Sequence, residues 1–187
     1  MQTYEITSDK SRMSVEAAHA YLTQSYWSSG VPLSIVQRAF DNSVCFAALA
    51  GSEQVGFARV VTDKATFAYL ADVYVLRPHR GQGLAKQLVE AVQRHPELQG
   101  LRRFMLATRD AHGLYAKAGF APLSAPGSFM ELHNANVYAQ AGTGDALLVH
   151  RADVLLRLSL ASVRRSCRTL GPLRASTTNV RVAIGSR

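Results

Sequence analysis

Val75-Leu76-Arg77-Pro78-His79-Arg80-Gly81-Gln82-Gly83-Leu84-Ala85 is the stretch that decides how this chain folds. An apolar run ends at Leu76, a proline turn follows, and two closely spaced glycines lead into a helical pattern. The order predicts a strand, a tight turn and a helix whose first N–H groups have no partner inside the helix. Such groups, reinforced by the helix dipole, form an anion site suited to a pyrophosphate. Glycine at 81 and 83 lets the backbone approach phosphate oxygens with no Cβ in the way. The amides from Gly81 through Gln82, Gly83 and Leu84 to Ala85 can point at oxygens, and Arg80 adds a positive group. Two other nucleotide loops are excluded. No Gly-Lys-Ser/Thr follows, and Lys86 stands where a dinucleotide fingerprint needs its third glycine.

Working outward, Leu84, Leu88 and Val92 share one helical face with Ala85 and Val89, while Lys86, Gln87, Glu90, Gln93 and Arg94 fill the other. Pro96 marks the end of that helix. Upstream, Val44–Ala50, Gln54–Val61 and Phe67–Leu76 read as strands joined by the short turns Gly51-Ser52-Glu53 and Asp63-Lys64-Ala65, an antiparallel meander. Downstream, Leu101–Ala107 is another apolar strand, so strand, helix and strand across 70–107 imply parallel pairing through a right-handed crossover. Tyr4–Thr7 predicts a short first strand. Ser14 caps a helix through Ala17, Ala18, Tyr21 and Leu22, and a second runs from Pro32 or Leu33 to Phe40. Ala111–Ala118 is a short helix that Asp110 is expected to cap and Gly119 to close. Phe129–His133 is expected to return as a last strand. The fold class is α/β, with a mixed, mostly antiparallel central sheet flanked by helices.

Bulk properties narrow the class. The apolar fraction of 48% is that of an ordinary globular domain. No run approaches the ~18–20 apolar residues of a membrane span, and Met1–Thr7 lacks the basic and apolar regions of a signal peptide. Cys45 and Cys167 give no disulfide framework and no metal spacing, so a cytoplasmic protein with reduced thiols, no metal and no membrane partner is expected. The net charge of +8 is unevenly placed: residues 1–133 hold 13 Lys/Arg against 11 Asp/Glu, whereas 134–187 hold 8 Arg against 2 Asp. We therefore expect a domain over 1–133 and a basic Arg-rich extension over 134–187. The charge argues for no nucleic-acid role in the domain itself.

Arg80-Gly81-Gln82-Gly83-Leu84-Ala85 fits R-x-x-G-x-A, and Leu114-Tyr115-Ala116-Lys117-Ala118-Gly119-Phe120 fits L-Y-x-x-x-G-F about thirty residues later. Together these resemble the acyl-CoA loop and the tyrosine block of the GNAT superfamily of N-acetyltransferases, and the resemblance covers about residues 4–133. It implies acetyl-CoA as co-substrate, an amine acceptor that is a small molecule or a peptide, and direct acetyl transfer in a ternary complex. Dimers are frequent among such folds, so a homodimer is among the expectations.

The resemblance also implies roles. Tyr115 becomes the general acid for the leaving thiolate, and the amides of Val73, Tyr74 and Val75 the donors to the pantetheine arm and the oxyanion. Asp72, a carboxylate in an apolar strand, is the candidate general base, directly or through a water; His79 and His112 are alternatives. Thr108 stands where the family often has an asparagine that helps hold the cofactor. Tyr26 and Trp27 are candidates to contact the acceptor. A different class of function stays open, a non-catalytic acyl-CoA-binding sensor, which thiol release across an amine panel distinguishes.

Overall fold

The structure is a computed structural model and describes residues 2–138. The extension expected from 134 onward, and with it Cys167, falls almost entirely outside the described residues.

Strand β1 (Glu5–Thr7) leads through a single 3-10 turn to α1 (Val15–Leu22). The Ser14 hydroxyl accepts the Ala17 amide at the start of α1, as its sequence position implied. Helix α2 spans Leu33–Asp41. The meander follows as β2 (Val44–Ala50), β3 (Glu53–Thr62) and β4 (Phe67–Val75). All seven residues of β2 are buried, because both faces of this central strand are covered. The β3–β4 turn is fixed by the Asp63 carboxylate, which accepts the amides of Ala65, Thr66 and Phe67. The Thr66 hydroxyl, which also donates to this carboxylate, and then these amides hold its pKa well below the usual carboxylate range. Helix α3 (Leu84–Arg94), β5 (Arg103–Leu106) and α4 (His112–Lys117) complete the described elements.

The five strands lie in chain order, antiparallel except for the parallel β4–β5 pair. One core lies under α3, where Leu84, Leu88, Val89 and Val92 meet Phe46, Val55, Ala58 and Leu70. The other lies under α1 and α2, where Leu22, Val36 and Phe40 meet Cys45, Phe57 and Tyr74. α3 packs tightly on β3: a Cβ on Gly56 would stand 3.1 Å from the Tyr74 carbonyl oxygen and 3.4 Å from Leu88 Cδ1.

Two irregularities of β4 position everything that follows. Its pairing with β5 runs only from Phe67↔Arg103 to Leu70↔Leu106, so Ala71–Val75 continue without a neighbour on that side. Against β3, Phe57 faces Tyr74 and Arg59 faces Ala71, so the single residue Ala58 opposes both Asp72 and Val73. Asp72 takes φ +55 there, a left-handed conformation rare for a residue with a Cβ. The extra residue shifts the alternation: Ala68 and Leu70 face α3, and so does Val75.

Three expectations need correction. Phe129–His133 forms no strand; Met130 and Leu132 are 98% and 104% exposed, and without a neighbouring strand their alternation buries nothing. β5 is shorter than 101–107, since Leu101 and Arg102 precede its register with β4. Asp110 does not cap α4: Ala111 holds the N-cap position and brings no capping side chain, and the Thr108 hydroxyl accepts the Ala111 amide just ahead of the helix.

Candidate functional site

The loop after β4 turns at Arg77–His79 and enters α3 through Gly81 and Gly83, with φ +77 and +76. Gly83 is the residue before the helix and supplies no capping side chain, so the first amides of α3 stay open to a ligand. A Cβ would meet nothing within 4 Å at Gly81 and only Gln87 Nε2 at 3.9 Å at Gly83. Backbone conformation, not crowding, is therefore what these glycines serve. Arg80 is locked in place: its Nε donates to the Val75 carbonyl at 2.9 Å and a terminal nitrogen to the Tyr21 hydroxyl at 3.2 Å. These groups border a cleft of about 560 Å³ running from Gly81, Gly83 and Ala85 past Val73, Tyr74 and Val75 to Tyr115. Leu84 is fully buried and offers only its amide, and the Gln82 side chain is exposed outside the cleft.

A second cleft, of about 550 Å³, lies between the α1–α2 loop and the separated ends of β4 and β5. It holds Asp72, Thr108, Arg109 and Tyr69, and it shares Tyr26, Trp27, Val73 and Tyr115 with the first. Thr108 borders this second cleft. Arg109 lies 3.7 Å from the centre of the Tyr26 ring, a cation–π contact that fixes one rim.

Asp72 is engaged on both oxygens. Arg59 Nε donates to Oδ2 at 2.6 Å, and the Trp27 indole N–H donates to Oδ1 at 3.3 Å. The pair is mostly enclosed, with Arg59 18% and Asp72 10% exposed. Arg59 also reaches the Ser43 hydroxyl at 3.2 Å. Sequence reading missed Arg59, although a lone arginine in the apolar strand Gln54–Val61 was a usable signal: a charge so placed needs a buried partner. It missed Tyr21 too, which stacks on Tyr74 at 3.9 Å and holds Arg80, and no sequence pattern marks that contact.

Tyr115 is buried at the junction of the two clefts. Burial pushes its hydroxyl acidity down, raising the pKa, and nearby Tyr26 and Asp110 act in the same sense. The hydroxyl therefore stays protonated at neutral pH and can serve as a proton donor. The other candidates fare differently. His79 borders the loop cleft with Nδ1 3.1 Å from the Tyr4 hydroxyl. His112 opens onto a separate groove beside β5. Cys45 is buried, its thiol pushed up to about 11 chiefly by desolvation, which suits a packing residue and not a nucleophile.

The arrangement joins an uncapped helix terminus, a strand whose second half is unpaired on one side, and a protonated tyrosine. Comparison with known proteins bears on it directly. The family model for the acetyltransferase (GNAT) family matches residues 11–120, which include both clefts' principal residues. The chain belongs to the GNAT acetyltransferases, a family of acyltransferases. It is 50% identical to a GNAT-family protein of Xanthomonas campestris pv. campestris whose crystal structure superposes with a TM-score of 0.71, covering 74% of this chain and 98% of that one. It is 32% identical over 137 residues to a Gibberella zeae protein classed among the acetyltransferases, covering 61% of this chain and 76% of the relative. A Clostridium acetobutylicum acetyltransferase solved with acetyl-CoA shares the fold at a TM-score of 0.53 and 17% identity, covering 71% and 96%. Among the described residues no helix is long and apolar enough to cross a membrane, and no cluster of three metal-ligating side chains occurs.

Proposed function

We propose that this GNAT protein moves the acetyl group of acetyl-CoA to a primary amine by direct attack, with both substrates bound at once. The observation that carries the reading is the meeting of two clefts at Val73 and Tyr115. One cleft offers the uncapped α3 terminus, Arg80 and the left-handed glycines, a fit for the CoA pyrophosphate. The other offers Asp72, Trp27 and Tyr26 to the acceptor.

In this scheme the neutral amine attacks the thioester carbon; a C–N bond forms and the C–S bond breaks. The free amides of the splayed segment near Val73–Val75 receive the transient oxyanion. The Tyr115 hydroxyl gives its proton to the leaving thiolate. Asp72 takes up the proton shed by the amine through a water, its own place held by Arg59 and Trp27. Thr108, which borders the acceptor cleft, accepts the Ala111 amide just ahead of α4.

Thiol release from acetyl-CoA across a panel of amines tests the reading, with Tyr115→Phe alongside. Amine-dependent release that falls at least 100-fold in Tyr115→Phe supports it. Acetyl-CoA binding with no release from any amine overturns it in favour of a non-catalytic acyl-CoA sensor.

A further inference from the structure

The sheet face that carries Asp72 hides a third, smaller cavity of about 50 Å³ beneath α2. Leu22, Val36, Phe40 and Phe57 wall it, all buried members of the core under α1 and α2. Protein cores close such gaps, because atoms facing a void lose their dispersion partners. This gap stays open, and it meets the acceptor cleft at three residues common to both: Ser28, Arg59 and Asp72. Arg59 cannot swing in to fill it, since its guanidinium is tied to Asp72 and Ser43. A largely hydrocarbon hole, bordered also by Tyr138, therefore adjoins the enclosed Asp72 carboxylate.

We propose that this cavity is the side-chain subsite of the acceptor, so that the enzyme acts on small aliphatic primary amines. The nitrogen stays in the cleft beside Asp72, and the alkyl end is buried under α2. The inference rests on the N-acetyltransferase reading above. Size sets the class: one water needs ~10–15 Å³ of such space, so about 50 Å³ takes roughly three to five heavy atoms, while a cavity that holds benzene is about three times larger. A branched or straight alkyl group fits; an aryl ring does not. A second ammonium is also disfavoured, because α2 presents only Ile35, Val36, Ala39 and Phe40 to it.

The test is a series of kcat/KM values for the full chain with ethylamine, propylamine, isobutylamine, isopentylamine, phenethylamine and putrescine. The expected result is a rise of about fourfold per added carbon up to isobutylamine or isopentylamine, a drop at phenethylamine, and poor turnover of putrescine. Ala39→Leu grows into the cavity from α2 and should lower the isopentylamine-to-ethylamine ratio at least tenfold. Ile35→Met, a gentler change on the same wall, should lower it severalfold. A flat series, a preference for putrescine, or a ratio that neither variant moves overturns the proposal. If no amine releases thiol, the N-acetyltransferase reading fails, and NMR titration with isobutylamine decides the subsite separately. Shifts at Val36 and Phe57 that vanish in Ala39→Leu uphold it; no binding overturns it.

Discussion

Two clefts of nearly equal volume, about 560 and 550 Å³, flank Tyr115, and they are made of different materials. One wall of the loop cleft is backbone: amides at the start of α3, two glycines with positive φ, and a strand that has parted from its neighbour. The acceptor cleft is mostly side chain: an ion pair, an indole, three tyrosines and an arginine. A backbone site tolerates many side-chain changes but fails with a change of conformation. A side-chain site behaves the other way, since each group leans on partners from distant segments. The two halves should therefore break under different substitutions.

The largest effect is expected at the ion pair. Arg59→Leu leaves Asp72 enclosed and uncompensated, and should cost roughly 3–5 kcal/mol of stability in denaturant melts. The double variant Arg59→Leu/Asp72→Leu should regain most of that loss. If the double falls as far as the single, the pair is not what holds the acceptor side together. Next comes Tyr115→Phe, which belongs to both clefts: kcat should fall about 100-fold, roughly 3 kcal/mol, with acetyl-CoA KM little changed. A loss expressed in KM instead would assign the tyrosine to binding.

Tyr74 sharpens the contrast, because its backbone serves the donor side while its ring packs in the core beneath α1. Burial raises its hydroxyl to about 12. The unfolded chain releases that proton near pH 10, so between about pH 10 and 12 the unfolded state binds fewer protons and stability falls as pH rises. The loss is of the order of 2 kcal/mol, complete near pH 12. Tyr74→Phe should remove most of this alkaline slope, and pH-dependent melts measure it. The smallest effect is Gly83→Ala. Space above the glycine is open, so only the left-handed backbone is penalised, by ~1–2 kcal/mol. Acetyl-CoA affinity by calorimetry should drop about five- to thirtyfold, with the acceptor preference intact.

The same contrast explains what could be read before any coordinates. The meander, the α3 amphipathic face and the phosphate loop are local: alternation, periodicity and two glycines carry them within a dozen residues. The acceptor side draws on Trp27, Arg59, Asp72 and Arg109, whose contacts are set by the register of β3 on β4 and by a one-residue bulge. Nothing around Asp72 in sequence marks φ +55, and only the pairing of Ala58 with two residues reveals it. Phe129–His133 shows the opposite case, a pattern with no neighbour to complete it.

Tyr21 makes one ring common to both sides. Its hydroxyl accepts from Arg80, its face lies on Tyr74, and its centre stands 6.3 Å from that of the tilted Trp27 ring. In the proposed function, a pyrophosphate that draws on Arg80 would alter the hold on that ring, and the ring supports the wall proposed for the amine. Reciprocity then requires that donor and acceptor change each other's affinity by the same factor. The signature lies in the order of addition: initial-velocity patterns in which the Kd for one substrate depends on the concentration of the other, with Tyr21→Leu making the two bindings independent.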